Sequence, residues 1–261
     1  MDNSIVFDDL RTTPHYDIAG SSGIGKRESQ QDSAYVAADD NSVFAVICDG
    51  MGGYSGGQDA SRAAIESMVG QYALLGDKPV SAQWLRYAAE ITDDVVYSLT
   101  GPDGRRLHCG TTLVVASIQG DRLSWLSVGD SRIYIVRANE MIQVTSDHNY
   151  YLRLIQQLDK GEITQAQYDC EAVKGDALTS FIGMGGLQLI DINETPFQLE
   201  RGDFILLCSD GLYRSIPEHL IKKIILSNVN ANDVVRQYNN QLQKFNNLYQ
   251  DNYTYVAIRK V

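Results

Sequence analysis

The chain is poor in positive charge. Its 22 Lys and Arg face 33 Asp and Glu, a formal charge of −11, and no stretch concentrates the basic residues. Nucleic acid and anionic membrane surfaces are recognised by clustered Lys and Arg, so neither partner is expected. Long apolar runs are also missing. Runs such as Phe204–Cys208 fall far short of the roughly 20 residues a spanning helix needs. The opening Met1-Asp2-Asn3-Ser4 has neither the basic residues nor the apolar stretch of a secretory signal. Cys48, Cys109, Cys170 and Cys208 show no C-x-x-C spacing, and Cys48 and Cys208 sit inside apolar runs. Buried reduced thiols and a cytoplasmic location are expected.

Several catalytic signatures are absent. His15, His108, His148 and His219 form no H-x-x-x-H pair, which argues against a zinc protease. There is no G-x-S-x-G elbow and no G-x-x-x-x-G-K-[ST] loop. Ser22-Gly23-Ile24-Gly25-Lys26 is glycine-rich but wrongly spaced, and reads as a turn. No Pro/Ser/Gly-rich linker and no repeat divides the 261 residues, so one domain is expected, a length that single sandwiches reach.

What is present is an alternation of strand-like and helix-like segments. Short apolar runs at 16–22, 34–38 and 43–48 precede two amphipathic patterns, Ala60/Ala64/Met68/Tyr72 and Trp84/Ala88/Ile91/Val95. Strands are expected again at 111–118, 122–128, 133–137 and 141–144, then at 187–192, 204–208 and 253–258. Helices are expected at 148–158, 164–170, 218–226 and 232–242. Turns at Gln119-Gly120-Asp121 and Ala138-Asn139-Glu140 read as hairpins. Hairpin-linked strands with helices in pairs indicate an α+β chain of antiparallel sheets flanked by helices. The strict βαβ alternation of a doubly wound fold is absent.

The most informative feature is a recurrence of aspartates beside apolar runs. Phe44–Cys48 leads into Asp49-Gly50, Leu206–Ser209 into Asp210-Gly211, and Leu123–Val128 into Gly129-Asp130, while Asp251-Asn252 precedes Tyr253–Ala257. Carboxylates at strand tips on one sheet edge would repel one another and raise each other's pKa. Hard divalent cations such as Mg²⁺ or Mn²⁺ relieve that conflict. The neighbouring glycines would let backbone and ion-bound water approach closely. Taken singly, each aspartate is equally well read as a turn residue.

Ordered motifs extend this pattern: Arg27-Glu28-Ser29-Gln30-Gln31-Asp32, Asp49-Gly50-Met51-Gly52-Gly53, Gly110-Thr111-Thr112, Val128-Gly129-Asp130-Ser131-Arg132, Thr145-Ser146-Asp147-His148, Ser209-Asp210-Gly211 and Asp251-Asn252-Tyr253-Thr254. From about Gly20 onward they resemble the metal-dependent type 2C (PPM) protein serine/threonine phosphatases, in their bacterial form. The resemblance implies a central sandwich of two antiparallel β-sheets flanked by pairs of α-helices, with two Mn²⁺ or Mg²⁺ ions at one end. It implies that Asp49 bridges both ions, that the Gly50 carbonyl binds one, that Asp210 and Asp251 bind the other, and that Asp32 holds ion-bound water. Asp130, with Asp210, corresponds to the site of a third, weaker ion. Arg27 corresponds to the arginine that grips the substrate phosphate, for which a planar fork of donors is suited.

Residues 15–261 are then expected to form the catalytic domain, with a flap at about 149–183 and residues 1–14 as a tail or edge segment. Phosphorylated proteins are the implied substrates, and a Hanks-type Ser/Thr kinase the implied opposing partner. The competing reading, a catalytically weak or dead binding module, expects loss of a ligand acid, and Asp49, Asp210 and Asp251 are all present. Two departures stand out. Met51 replaces the histidine often found two residues after the bridging aspartate, so the leaving-group proton is expected from ion-bound water near Asp130. Gln30-Gln31 replaces the usual Asn-Glu or Asn-Gln pair. Arg132 is expected in a structural salt bridge near Asp130, and Thr111, Thr112, Asp147 and His148 in structural hydrogen bonds, with a proton-carrying role for His148 the less favoured reading.

Overall fold

The computed structural model describes residues 12–52, 56–245 and 249–261. Most of the expected 1–14 tail, and Gly53, lie outside the described residues. The strands are Tyr16–Gly23 (β1), Asp32–Ala38 (β2), Ser42–Gly52 (β3), Cys109–Thr111 (β4), Leu113–Gln119 (β5), Arg122–Val128 (β6), Arg132–Arg137 (β7), Glu140–Gln143 (β8), Asp191–Ile192 (β9), Phe197–Gln198 (β10), Phe204–Cys208 (β11) and Tyr253–Lys260 (β12). The helices are Gly56–Leu75 (α1), Ala82–Tyr97 (α2), Tyr150–Asp159 (α3), Gln165–Glu171 (α4), Asp210–Tyr213 (α5), Glu218–Leu226 (α6) and Ala231–Phe245 (α7).

The strands form two antiparallel sheets. One runs β1-β12-β11-β7-β8, and the other β10-β6-β5-β3-β2, with β4 attached to β3 and β9 to β6. The period-2 alternation of strand side chains explains why β11 and β3 read as unbroken apolar runs. Ile205 and Leu207 face inward with Ile47, Val114 and Val256, filling the space between the sheets. Their neighbours Phe204, Leu206 and Cys208 face outward onto α6 and α7, meeting Ile221, Ile225, Val234 and Tyr238. On the second sheet Phe44, Val46 and Val115 likewise meet Ala60, Met68, Leu85 and Ala88 of α1 and α2. The result is the expected α+β sandwich: helices, sheet, sheet, helices.

Local chemistry sets the helix starts. Ser81 caps α2 by accepting from the Trp84 N–H, Asn149 caps α3 through the Leu152 N–H, and Thr164 with Gln167 forms a capping box on α4. Helices α3 and α4 and a 3-10 turn at Ala172–Lys174 occupy the expected flap region. The Tyr150 N–H closes this region on itself by donating to Ala177 O at 2.9 Å, and the region returns to the sandwich where the Ile182 N–H donates to Thr111 O at 2.9 Å.

Several expectations need correction. The strand expected at 187–192 shrinks to Asp191–Ile192, because the Leu189 N–H and carbonyl are both engaged by Ser180 Oγ rather than by a neighbouring strand. The strand expected at 111–118 breaks at Thr112. There the side-chain Oγ1, in place of a ladder carbonyl, accepts from the Asp49 N–H across the sheet at 2.9 Å. Strand β10 and the one-turn α5 had no expected counterpart. Cys48, Cys109 and Cys208 are buried, but Cys170 on α4 is exposed; all are free thiols.

Candidate active site

Asp49 does not end its strand, as expected, but lies inside β3, which continues to Gly52. One neighbour changes on each side: Asp32 of β2 stands opposite Asp49, and Thr111 of β4 stands opposite Gly50. Asp130 sits in the turn between β6 and β7, Asp210 opens α5, and Asp251 precedes β12. Five separate chain segments therefore deliver carboxylates to one end of the sandwich.

Close backbone approach makes this convergence workable. A Cβ on Gly50 would fall 2.0 Å from Gly57 O, and one on Gly211 would fall 1.9 Å from Asn252 O. The glycines beside Asp49 and Asp210 thus admit neighbouring backbone, the close approach expected from the sequence. Asn252 adds a second fastener. Its Oδ1 accepts from the Gln31 N–H at 2.8 Å, and its Nδ2 donates to Ile24 O at 2.9 Å and Ser29 O at 3.0 Å. These bonds hold the 24–31 loop, and with it Arg27, beside Asp251.

The cleft so formed has a volume of about 830 Å³, and Arg27, Asp49, Gly50, Asp130, Asp210 and Asp251 all line it. Asp32 lies beneath it, 2% exposed, with Oδ2 accepting from Ser209 Oγ at 2.8 Å. Its Oδ1 has no hydrogen-bond partner among the described residues. Burial pushes the Asp32 carboxyl up to about 7; Ser209 and Thr254 pull against this, and Asp210 and Asp251 add to it. Asp49 is raised well above the carboxylate range by burial and then by Asp32, Asp210, Asp130 and Asp251. Asp130 is raised to about 6 by burial and by Asp210, against the opposing pull of Arg214. Asp210 is raised by burial, offset by Arg214.

Two arginines balance part of this charge. Arg27, with a side chain 59% exposed, places Nη2 2.5 Å from Asp251 Oδ2. Arg214 places Nε 2.9 Å from Asp210 Oδ2. With Asp251 turned to Arg27 and Asp210 to Arg214, no three acidic, His or Cys side chains among the described residues stand together around one point. The donor set nevertheless suits hard divalent cations: carboxylate oxygens, each driving up the pKa of the others, above an orphaned buried carboxylate oxygen. The arginines stand where the cations' charge would otherwise be needed.

The supporting residues divide as follows. Arg132 makes the expected structural salt bridge, with Asp147 and Glu218 and not with Asp130 itself. It forks onto Asp147 at 2.9 and 2.7 Å, reaches Glu218 at 2.9 Å, and stacks over the Tyr213 ring. As the first residue of β7 it shares the outward face of Tyr134, two residues on, and on that face it stacks on the Tyr213 ring, whose hydroxyl donates to the Asp130 carbonyl. His148 is a buried clip: its backbone N–H donates to Gly129 O at 2.9 Å, and its Nδ1 accepts from the Gly129 N–H at 3.2 Å. Thr111 Oγ1 donates to Asp49 O at 2.9 Å, and Thr112 Oγ1 shares a 2.7 Å hydrogen bond with Ser131 Oγ. Sequence reasoning missed Arg214, Asn252 and Ser209. Ser209 and Asn252 stood inside the ordered motifs without an assigned role, and Arg214 carried a signal in its i,i+4 spacing from Asp210.

Comparison with known proteins bears on these features. The protein phosphatase 2C family profile matches residues 19–246, and the chain belongs to that family. It is 31% identical to the serine/threonine phosphatase stp of Listeria monocytogenes over 193 residues, 72% of this chain and 73% of that protein. It is also 31% identical to protein phosphatase PhpP of Streptococcus pneumoniae over 186 residues, 70% of this chain and 73% of that protein. The fold matches the S. agalactiae serine/threonine phosphatase with a TM-score of 0.79, 24% identity and coverage of 94% and 100% of the two chains. A structure of the PstP catalytic domain in complex with two manganese ions matches with a TM-score of 0.73, 25% identity and coverage of 95% and 99%. The chain is thus a bacterial-type serine/threonine protein phosphatase of the metal-dependent PPM class. No helix among the described residues is long and apolar enough to cross a membrane.

Proposed function

We propose that the chain hydrolyses phosphoserine and phosphothreonine in proteins, using two divalent cations held by Asp49, the Gly50 carbonyl, Asp210 and Asp251. The observation that carries this reading is the meeting of Asp49, Asp210 and Asp251 with Arg27 around one cleft, where burial and mutual repulsion leave the acids short of positive charge. Bound Mn²⁺ or Mg²⁺ would supply that charge and lower the pKa of water.

The chain's own groups supply the rest. Arg27 is exposed at the rim and its present partner, Asp251, is one of the proposed ligands. Once Asp251 is engaged elsewhere, the guanidinium fork is available for two phosphoryl oxygens. Asp32, with one oxygen fixed by Ser209 and the other unpartnered, accepts from and orients the attacking water. In the reaction a water oxygen bonds to phosphorus, the bond from phosphorus to the serine or threonine oxygen breaks, and the departing alkoxide takes a proton. Met51 is a thioether with no proton to give, so water in the open cleft supplies it. The products are inorganic phosphate and the free hydroxyl.

The flap region, about 149–183, borders this cleft through Asp176, Ala177 and Leu178, which suits a role in selecting the polypeptide around the phosphoresidue. In this reading residues 15–261 act as one catalytic domain, phosphoproteins in the cytoplasm are the substrates, and the opposing enzyme is a Hanks-type Ser/Thr kinase. The test is phosphate release from a phosphothreonine peptide with Mn²⁺, with Mg²⁺ and with EDTA. Release with either ion and none with EDTA is expected; equal release with EDTA would overturn the proposal.

A further inference from the structure

Arg214 stands where a third cation would have to go. Four residues after Asp210, and across the single turn of α5, it lies on the same side of the helix as that acid. Its Nε is 2.9 Å from Asp210 Oδ2, and its Nη2 is 3.5 Å from Asp130 Oδ2. Asp130 and Asp210 are the pair to which the family resemblance assigned a third, weaker ion. In this chain a guanidinium lies between them.

The surroundings keep it there. The Asp130 side chain is only 8% exposed, and the Tyr213 hydroxyl, next to Arg214, donates to the Asp130 carbonyl at 3.0 Å. The Asp130 turn and α5 are therefore tied together from the residue adjoining Arg214. The third acid on the guanidinium is Asp176, 3.1 Å from Nη2 and 62% exposed. A solvent-exposed pair of that kind is weak, so Asp176 offers little to draw Arg214 away from the two buried acids. Arginine does not lose its proton in proteins, so its charge is permanent.

We propose that the Arg214 guanidinium is the built-in cation of the Asp130–Asp210 pair, so that this chain binds two divalent ions and excludes a third. An ion entering between these acids would bring two positive charges against a fixed one at contact distance, with no buried acid left over to separate them. Asp210 engages Arg214 through Oδ2 and retains Oδ1 for the core. Arg214 is thus a positioning residue: it holds Asp210 and Asp130 in place. The inference rests on the two-ion reading of the core given above.

The test counts Mn²⁺ per chain, by measuring free Mn²⁺ with electron paramagnetic resonance as the metal is titrated into metal-stripped protein. Wild type is expected to bind two ions. Arg214→Met, which keeps an unbranched apolar stem but not the charge, is expected to bind three, the last more weakly. Arg214→Met combined with Asp130→Asn is expected to return to two. Three ions on wild type would overturn the inference while leaving the two-ion core standing. Fewer than two would overturn the core reading and the inference with it. If Arg214→Met does not fold, Arg214→Gln makes the same comparison while keeping a hydrogen-bond donor for the acids. A neutral variant that binds no more ions than wild type would also overturn the inference.

Discussion

Replacing Asn252 with alanine tests how the substrate-binding arginine is held. The buried amide makes three hydrogen bonds, to the Gln31 N–H, Ile24 O and Ser29 O, and all of them end on the loop that carries Arg27. A typical bond of this kind contributes roughly 0.5–1.5 kcal/mol net, and a buried group left unpaired costs roughly 1–3 kcal/mol. Ile24 is exposed and Ser29 partly so, which lets water replace part of what their carbonyls lose. The Gln31 N–H, packed beneath the loop, gains less from water. A total of about 2 kcal/mol follows, which for a chain of this size lowers Tm by about 4–8 °C. The same change frees the loop, so KM for a phosphothreonine peptide should rise roughly tenfold, equivalent to about 1.4 kcal/mol, with kcat less affected. Urea or thermal unfolding and steady-state kinetics measure the two effects. A stable variant with unchanged KM would refute the idea that Asn252 positions Arg27.

Other perturbations separate the roles further. Arg27→Lys keeps the charge and loses the fork; kcat/KM on a phosphopeptide should fall by roughly tenfold to a hundredfold, the scale of a charged hydrogen bond, and an unchanged kcat/KM would exclude bidentate phosphate contact. Mn²⁺ at a hundredfold excess over its dissociation constant should stabilise the fold by about 2.7 kcal/mol, seen as a rise in Tm that EDTA reverses and Asp49→Asn largely abolishes. Asp39 is depressed below the usual carboxylate range first by the Ser42 side chain and then by the Asn41 N–H. Because its folded value is the lower one, its stabilisation is present above the unfolded value near roughly 3.9 and is lost as pH falls through the folded value. The gap in Tm between wild type and Asp39→Ala should therefore close on acidification, and a gap that widens would contradict the sign.

The parts legible in the sequence were those encoded locally. Asp210 and Asp251 stand beside apolar runs because β11 and β12 are buried on both faces, so the run itself marks where each strand meets the cleft. The same logic misplaced Asp49: the segment Asp49-Gly50-Met51-Gly52 still forms ladder, because Asp49 pairs with Asp32 of β2 and Gly50–Gly52 with the distant β4, and no local pattern encodes the β4 pairing. The apolar stretch 187–192 showed burial but not ladder geometry, since the Ser180 side chain takes both backbone groups of Leu189. Arg132 and Arg214 show the limit for charges. Each sits near several acids in the chain, and only the direction of a strand face or one turn of α5 decides that Arg132 takes Asp147 and Arg214 takes Asp210.

The central claim is that Asp49 organises a cation-dependent hydrolytic site, and the most direct test is turnover of a phosphothreonine peptide by Asp49→Asn at saturating Mn²⁺. The substitution is nearly isosteric and removes only the charge from the carboxylate that faces Asp32 and Asp210. The account predicts a loss of at least about a thousandfold in kcat, roughly 4 kcal/mol of transition-state stabilisation, with the fold retained. Turnover within tenfold of wild type would contradict it.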